Sequence, residues 1–349
     1  MTALRVAITI GPAVPSGIGV YSFDLALALD RRDDVDVIPV GTPHALAQLD
    51  DRSATSFAAR LPLPGQRSLE QFATLLLRRR LDRLGIDVFH GTRQVVPGMW
   101  RGPSVLTVHD DYPLSRRAEY DRAKRLLLPP VFRRSVRSSD ALMVLAPHVM
   151  PIARRLAQGD TPVIDAGGGV STALAAAVPE PPAACDTQRP FVLVVGDAGP
   201  RKRMGEIVEA WPSVASAKDV DLVIAGGRRA GDGLRASVET SHAMHLLTEV
   251  PDAGLSWLYR NALMVLDAAA DEGFGMVRAE AAHLGAAYRE LRGAIDPSGL
   301  QDLVAGVLGD RDSGPPKASD LTAALEQWDD VADRTIDVYR RVLQSHEAR

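Results

Sequence analysis

The chain has 349 residues, of which 46% are hydrophobic and 24% charged, with a formal net charge of −4 and a pI near 6.1. This length suits two domains of ordinary size, and the balanced charge gives no indication of a nucleic-acid partner. The lone cysteine, Cys185, excludes a framework of intrachain disulfides and is typical of a reducing cytoplasm, where we expect the protein to reside.

The sequence carries no sign of a targeting or membrane-spanning segment. The first ten residues lack the layout of a signal peptide, and no apolar run approaches the roughly 20 residues of a membrane span.

The chain opens with a predicted strand at residues 4–10 and a predicted helix at residues 21–29, a pair typical of doubly wound folds. The loop between them contains Ser16-Gly17-Ile18-Gly19-Val20-Tyr21. It lacks the Gly-x-Gly-x-x-Gly fingerprint, which makes a dinucleotide-dependent oxidoreductase the weaker interpretation. Gly17 and Gly19 are candidates for close approach of a ligand, and a plain tight turn is the alternative.

Further strands are predicted at residues 35–40, 86–90, 104–108 and 140–145. The third of these ends in His109-Asp110. In a parallel sheet, residues at the carboxyl ends of strands line the ligand crevice, which favours a functional role for His109. A histidine bonded to its own loop is the alternative.

The segment from Arg116 to Arg137 holds eight Arg and Lys residues against two acids. It predicts a basic helix, broken in the middle by Pro129-Pro130. Such a helix suits peripheral contact with the inner face of an anionic membrane or with a charged acceptor. A solvated helix face is the commoner interpretation of this pattern.

Residues 176–190 are rich in Pro and Ala and predict an interdomain linker. A second sheet begins with the strand at residues 191–196, followed by Arg201-Lys202-Arg203 and a helix from Met204. Three cations beside a helix N-terminus form a candidate grip for a diphosphate. A basic surface loop is the alternative.

A glycine turn with the sequence Asp271-Glu272-Gly273-Phe274-Gly275 lies between a predicted strand and a predicted helix. The glycines permit a sharp bend, and the N-terminus of the helix suits a phosphate. Glu272 and Glu280, about two helical turns apart, would bind hydroxyl groups such as those at both ends of a nucleotide sugar. An ordinary helix N-terminus with exposed acids is the alternative.

These motifs, in this order, resemble those of glycosyltransferase family 4. The matching segments are the glycine loop, His109-Asp110, Pro200-Arg201-Lys202, Asp252-x-x-Leu255-x-x-Leu258-Tyr259 and Glu272-x7-Glu280. The resemblance implies an α/β chain of the GT-B fold, with two Rossmann-like doubly wound domains facing each other across a cleft. It implies an acceptor-side domain at residues 1–175, the linker at 176–190, a nucleotide-sugar-binding domain at 191–325, and a helix at 326–349 that crosses back to the first domain.

The resemblance further implies retaining transfer of a sugar from a nucleotide diphosphate sugar to a saccharide, lipid-linked or small-molecule acceptor. His109 and Glu272 would act at the transferred sugar. The donor-binding residues would be Gly17, Gly19, Arg201, Lys202, Gly273, Phe274, Gly275 and Glu280. No cofactor and no metal is expected, because fixed cations would stabilise the leaving diphosphate.

The chain also departs from the family pattern. Arg203 stands where Asn is usual, and Met276-Val277 replace Leu-Pro. After Gly285, about ten residues are missing relative to the family, roughly the length of one strand and its loop. Loss of a strand beside the donor pocket would either reshape the nucleotide site or mark an alternative function, a non-catalytic GT-B-like nucleotide-binding or partner protein.

Overall fold

The computed structural model describes residues 3–11, 17–53, 57, 59–64, 74–120, 122–183, 185, 189–227, 230–269, 273–309 and 321–348. The chain divides into two compact units. The first unit comprises residues 1–169 and 325–349, and the second comprises residues 170–324. The first unit thus breaks shortly before the boundary predicted at residue 175. Each unit is a Rossmann-like α/β domain built on one parallel sheet.

The sheet of the first unit has seven described strands in the order β3-β2-β1-β4-β5-β6-β7. They are β1 (Leu4–Thr9), β2 (Val35–Gly41), β3 (Leu61–Pro62), β4 (Val88–Gly91), β5 (Ser104–Thr107), β6 (Ala141–Val144) and β7 (Val163–Asp165). Strands β4, β5 and β6 are buried along their whole length, and β6 is accordingly apolar throughout.

The helices of the first unit connect these strands. They are α1 (Gly17–Asp30), α2 (Pro43–Arg52), α3 (Arg78–Leu84), α4 (Tyr112–Ser115), α5 (Arg122–Ser138) and α6 (Met150–Leu156). A short 3₁₀ turn, Arg117–Glu119, separates α4 from α5, and another, Pro147–Val149, precedes α6.

Helix α5 runs through Pro129 and Pro130 without interruption, so the predicted break in the basic segment is wrong. A proline inside a helix removes one backbone hydrogen bond and crowds the preceding turn. Burial compensates here, because Leu128, Phe132 and Val136 recur at spacings of four and are each 7% exposed or less. Packing against the sheet therefore outweighs the local preference of the two prolines.

The C-terminal helix α13 (Leu321–Glu347) supplies core residues to the first unit. Trp328 and Tyr339 are fully buried. A Cβ on Gly169 would lie 2.6 Å from the Trp328 ring, so the indole fits only against a glycine there. The Tyr339 hydroxyl lies 2.7 Å from Nδ1 of His90, which joins the helix to strand β4.

The second unit has a five-stranded sheet in the order β10-β9-β8-β11-β12. Its strands are β8 (Phe191–Gly196), β9 (Asp221–Gly226), β10 (Met244–Leu247), β11 (Met264–Asp267) and β12 (Tyr288–Glu290). Its helices are α7 (Thr172–Ala176), α8 (Met204–Lys218), α9 (Asp232–Glu239), α10 (Asp252–Asn261), α11 (Met276–His283) and α12 (Pro297–Gly309). Hydrophobic side chains pack on both faces of this sheet, as two separate clusters.

Strand β12 corrects the expectation that a strand is missing after Gly285. Tyr288–Glu290 pairs in parallel with β11, with Val265 opposite Tyr288 and Asp267 opposite Glu290. Strand β12 is short, with Arg289 and Glu290 exposed, so its sequence lacks the apolar run that marks a buried strand. The segment after Gly285 therefore contains a strand.

Within the described ranges, no helix combines the length and apolarity needed to cross a bilayer.

The burial of His90 predicts acid sensitivity of the first unit. Burial, and then the nearby His109, lowers the pKa of His90 from 6.5 to about 3. As the pH falls through 6.5, the His90 imidazole takes up a proton in the unfolded chain but stays neutral in the folded chain. The unfolding free energy therefore falls with the pH over this range. From pH 7.5 to pH 5, His90 alone should reduce the unfolding free energy by about 2 kcal/mol.

Urea unfolding at the two pH values measures this loss. His90→Gln should lower stability at pH 7.5 and reduce the further loss at pH 5. A His148→Gln variant alters an exposed histidine of the same unit and should keep the wild-type pH dependence. An unchanged pH dependence in His90→Gln would contradict the prediction.

Candidate functional site

The glycines of the first loop lie in the opening turn of helix α1, directly after strand β1. Gly17 is exposed and Gly19 is buried. The Ser22 hydroxyl donates to the carbonyl of Gly19 at 2.9 Å and accepts from the amide of Gly11 at 3.1 Å. This side chain therefore fixes the start of the helix against the end of the strand. Residues 12–16, including Ser16, lie outside the described residues.

His109 follows strand β5 and is 7% exposed. Its Nε2 lies 2.7 Å from the carbonyl oxygen of Thr92, so this nitrogen carries the proton and donates it. The ring packs edge-on against Tyr21 of helix α1, with centroids 5.4 Å apart. Burial lowers the pKa of His109 from 6.5 to about 4, so the imidazole is neutral at physiological pH. The structure thus joins His109 to the glycine-loop helix through Tyr21.

Gln94 is a residue of this site that sequence reasoning missed. It has a φ of 62°, a left-handed conformation that costs a non-glycine residue energy. Its amide nitrogen donates to the Oδ1 of Asp110 at 3.1 Å and to the carbonyl oxygen of the same residue at 3.2 Å. Gln94 therefore fixes the loop that carries His109. Residues 92–94, which form this turn, include no glycine or Asn-Gly pair that would predict a left-handed residue.

The predicted cationic loop of the second unit forms a 3₁₀ turn, Pro200–Lys202, directly after strand β8 and before helix α8. Arg203 has a φ of 52°, which explains why Asn, a residue that tolerates this region, is usual at its position. Its guanidinium binds both carboxylate oxygens of Glu206, at 2.9 and 2.6 Å. Arg203 therefore forms an ion pair with Glu206 at the start of helix α8. Arg201 is half-buried.

Lys202 points into the protein and is 8% exposed. A Cβ on Gly196 would lie 3.1 Å from its Cε, so the lysine stem lies directly on the end of strand β8. Its Nζ lies 3.6 Å from the Oδ1 of Asp267, the last residue of strand β11, which is 5% exposed. Sequence reasoning missed Asp267, because it ends an apolar strand and belongs to no recognised motif.

The glycine turn is described from Gly273 onward. Gly273 and Phe274 are half-buried and form a bend before α11. Gly275 has a φ of 79° and stands at the N-cap of the helix, which requires a glycine or a strained residue. Asp271 and Glu272 lie outside the described residues, so the predicted role of Glu272 stays a prediction.

Glu280 lies on the buried side of helix α11 and is 9% exposed. The Tyr259 hydroxyl of helix α10 donates a 2.6 Å hydrogen bond to its Oε2. Burial raises the pKa of Glu280 from 4.5 to about 7, and the bond from Tyr259 and the charge of Lys202 act in the opposite direction. Glu280 is therefore a carboxyl group whose charge changes near neutral pH.

Lys202 lies at the carboxyl edge of the second sheet, at the end of strand β11, and its charge is close enough to Glu280 on helix α11 to lower the pKa that burial raises. Asp267 and Tyr288 complete this cluster, since the Tyr288 hydroxyl donates to the Oδ2 of Asp267 at 3.2 Å. Burial and the charge of Asp267 raise the pKa of Tyr288. The predicted residues His109, Gly17 and Gly19 belong to the first unit.

In the part of the chain that the structure describes, no three His, Cys, Asp or Glu side chains are grouped as metal ligands. Metal-independent chemistry stays a prediction.

Gly196 is predicted to keep Lys202 in place. Its φ of 137° is strained for an alanine, and the added Cβ would press on the Lys202 stem. We expect Gly196→Ala to lower the unfolding free energy by about 1–3 kcal/mol in urea unfolding. Gly199→Ala is the matched control on the same loop, because a Cβ there meets nothing within 4 Å. Equal stability of the two variants would show that Lys202 does not depend on Gly196.

Comparisons with known sequences agree with the division into two units. Residues 15–164 match the profile described as Glycosyltransferase Family 4, and residues 181–287 match the profile described as Glycosyl transferases group 1. Each match falls within one unit, and together they span most of the chain. A search of curated proteins finds no match.

Solved structures share the architecture over nearly the whole chain. Sucrose-phosphate synthase from Thermosynechococcus elongatus has a TM-score of 0.68 at 18% identity, covering 98% of this chain and 100% of its own. Anabaena HepE in complex with UDP and glucose has a TM-score of 0.68 at 13% identity, covering 97% and 100%. A putative UDP-N-acetylglucosamine 2-epimerase from Listeria monocytogenes has a TM-score of 0.62 at 12% identity, covering 95% and 91%.

Identities this low establish the fold alone, and that fold is GT-B. The two matched glycosyltransferase profiles identify the family. The chain belongs to the family 4 glycosyltransferases.

Proposed function

We propose that this glycosyltransferase is a retaining enzyme that moves a sugar from a nucleotide diphosphate sugar to an acceptor. The observation that carries the proposal is the buried cluster of the second unit. Lys202 lies there at the carboxyl edge of the sheet, with its Nζ 3.6 Å from the Oδ1 of Asp267. Glu280 is buried on helix α11, where the charge of Lys202 lowers the pKa that burial raises. Ligands of open α/β sheets bind outside this edge.

Lys202 and Arg201 would stabilise the leaving diphosphate. When the glycosidic bond of the donor breaks, negative charge develops on the phosphate oxygens. A preorganised cation in a site with little water acts strongly on such charge. The amide groups at the N-terminus of helix α11, after Gly275, would add their positive dipole end.

Glu280 would bind the ribose of the donor. As a carboxylate it accepts the hydrogen bond from Tyr259 and retains acceptor capacity for sugar hydroxyls. Glu272 would hold hydroxyls of the transferred sugar, as the family resemblance implies.

His109 would contact the sugar near its reacting carbon. Because its Nε2 donates to the carbonyl of Thr92, its Nδ1 is an acceptor in the neutral ring. A hydroxyl of the sugar or of the acceptor is the complementary donor. Gly19, in the first turn of helix α1, would allow phosphate and acceptor to approach the backbone. Front-face attack by the acceptor is the route that the family resemblance implies.

The fold alone does not distinguish a sugar transferase from an epimerase, because structures of UDP-N-acetylglucosamine 2-epimerases share it. The match to two glycosyltransferase profiles supports transfer. Complexes of HepE with UDP-glucose and of a Staphylococcus aureus MnaA with UDP support UDP as the first nucleotide to test.

A non-catalytic GT-B-like protein is the alternative function. The argument for it is the expected absence of a strand after Gly285, and strand β12 is present there, paired with β11. The transferase proposal is therefore the stronger of the two.

Replacement of Lys202 tests the proposal. We expect Lys202→Ala to lower kcat/KM for sugar transfer by about 100-fold or more, because the leaving diphosphate loses a fixed cation. Lys218→Ala, at the far end of helix α8, is the matched control and should retain the wild-type rate. The donor is first chosen by the stabilisation that UDP, GDP, ADP and TDP give against heat.

Product configuration, read by NMR at the anomeric carbon, tests retention. Transfer at the wild-type rate by Lys202→Ala or Glu272→Ala would refute the roles of these residues. A folded protein that is silent with every donor and stabilised by none of the nucleotides would favour the non-catalytic alternative.

Peripheral membrane contact by the segment from Arg116 to Arg137 remains a proposal. Arg122, Arg133 and Arg137 of helix α5 are exposed, and Leu126 is 75% exposed. We expect Arg133→Glu/Arg137→Glu to reduce co-sedimentation with phosphatidylglycerol vesicles at least about threefold, because Arg residues near an anionic surface contribute additively. Arg289→Glu/Arg292→Glu, in the second unit, is the charge-matched control. Equal sedimentation of both variants would refute contact through helix α5.

A further inference from the structure

Lys202 has an anionic partner built into the protein. Its Nζ lies 3.6 Å from the Oδ1 of Asp267, and both side chains are less than 10% exposed. A buried ammonium requires a compensating charge, which Asp267 supplies from the adjacent strand β11. In the proposed reaction, the diphosphate of the donor is a second anion for the same ammonium.

Asp267 is held in place by donors other than Lys202. Its Oδ1 accepts the backbone N–H of Ala269 at 3.0 Å, and its Oδ2 accepts the hydroxyl of Tyr288 at 3.2 Å. Hydrogen bonds to a carboxylate stabilise its charged form. Asp267 therefore keeps two partners when the Lys202 ammonium turns toward another anion.

The contact between Lys202 and Asp267 is looser than a close ionic hydrogen bond. Its 3.6 Å exceeds the roughly 2.7–2.9 Å of an ammonium that donates directly to a carboxylate. A lysine head carries three donors on a flexible stem, and it can be shared between two anions or pass from one to the other.

We propose that Asp267 is an internal counter-ion of Lys202 that competes with the diphosphate of the nucleotide and exchanges with it during each catalytic cycle. The inference rests on the proposed function, because it requires a diphosphate at Lys202. In the empty site, Asp267 neutralises the buried ammonium. In the occupied site, its fixed negative charge lies close to the phosphates and weakens their binding. Asp267 is a positioning residue that favours release of the nucleoside diphosphate product.

Tyr288 modulates this competition. Its hydroxyl offers Asp267 a partner other than Lys202. Without that hydroxyl, the carboxylate depends more on the ammonium and holds it more tightly. Replacement of Asp267 and replacement of Tyr288 should therefore change nucleotide affinity in opposite directions, an outcome that a general loss of packing does not produce.

Isothermal titration calorimetry with UDP, GDP, ADP, TDP and inorganic pyrophosphate tests the proposal on the full chain. We expect Asp267→Asn to lower the Kd of the bound nucleoside diphosphate and of pyrophosphate by about tenfold, because one repulsive charge is removed. Tyr288→Phe should raise the same Kd by about threefold or more. Asp302→Asn removes one exposed carboxylate of the second unit and should leave the Kd unchanged.

Steady-state kinetics give a second readout. Asp267→Asn should lower the KM for the donor and strengthen inhibition by the nucleoside diphosphate, whereas a misfolded site raises the KM. Thermal unfolding identifies a variant that does not fold. If Asp267→Asn does not fold, Tyr288→Phe provides the test. Its Kd for the nucleoside diphosphate must then exceed that of the wild type.

The outcomes separate this inference from the proposed function. Tighter binding by Asp267→Asn supports the inference, including the case in which the wild type binds too weakly to measure. Binding by the wild type with an equal or weaker affinity in Asp267→Asn overturns the inference and leaves the proposed function standing. Absence of binding to both proteins overturns both.

Discussion

The chemistry proposed for the second unit depends on a cation that is held away from water, the ammonium of Lys202. An ammonium in a protein interior is stable only beside a carboxylate or another anion. Lys202 meets this condition because strand β11 ends in Asp267 and because Gly196 leaves room for the lysine stem. In the proposed function, burial makes the ammonium effective toward a phosphate and makes the neighbouring carboxylate a competitor. Affinity and release would then depend on the same few atoms.

The parallel sheets explain why the functional side chains are found where they are. In each unit the carboxyl ends of neighbouring strands meet at one edge, and helix N-termini follow directly. In the first unit this edge carries His109 and the start of helix α1. In the second unit it carries Lys202, Asp267 and the start of helix α11. The two units thus apply the same arrangement to different side chains.

The sequence predicted the features that are encoded locally. The strand, loop and helix at the start of each unit follow from apolar periodicity and glycine. Short motifs indicated Lys202 and Glu280, whose roles stay predictions. The sequence did not reveal features that depend on distant partners. Asp267 pairs with a residue 65 positions away and bonds to Tyr288 on the neighbouring strand, and neither lies in a recognised pattern. The predicted break at the prolines of helix α5 was wrong for the same reason, because the burial of Phe132 and Val136 depends on tertiary packing. Gln94 adopts a left-handed backbone conformation that its residue type does not predict.

The return of helix α13 to the first unit has a consequence for synthesis on the ribosome. The second unit is one continuous stretch, residues 170–324, whereas the first unit needs residues from both ends of the chain. Trp328 and Tyr339 fill the interior of the first unit, and both are translated after the whole of the second unit. Domains usually mature in the order in which they emerge. Here the order is reversed, because residues 1–169 emerge before the second unit but need the part of helix α13 that emerges after it to close their core.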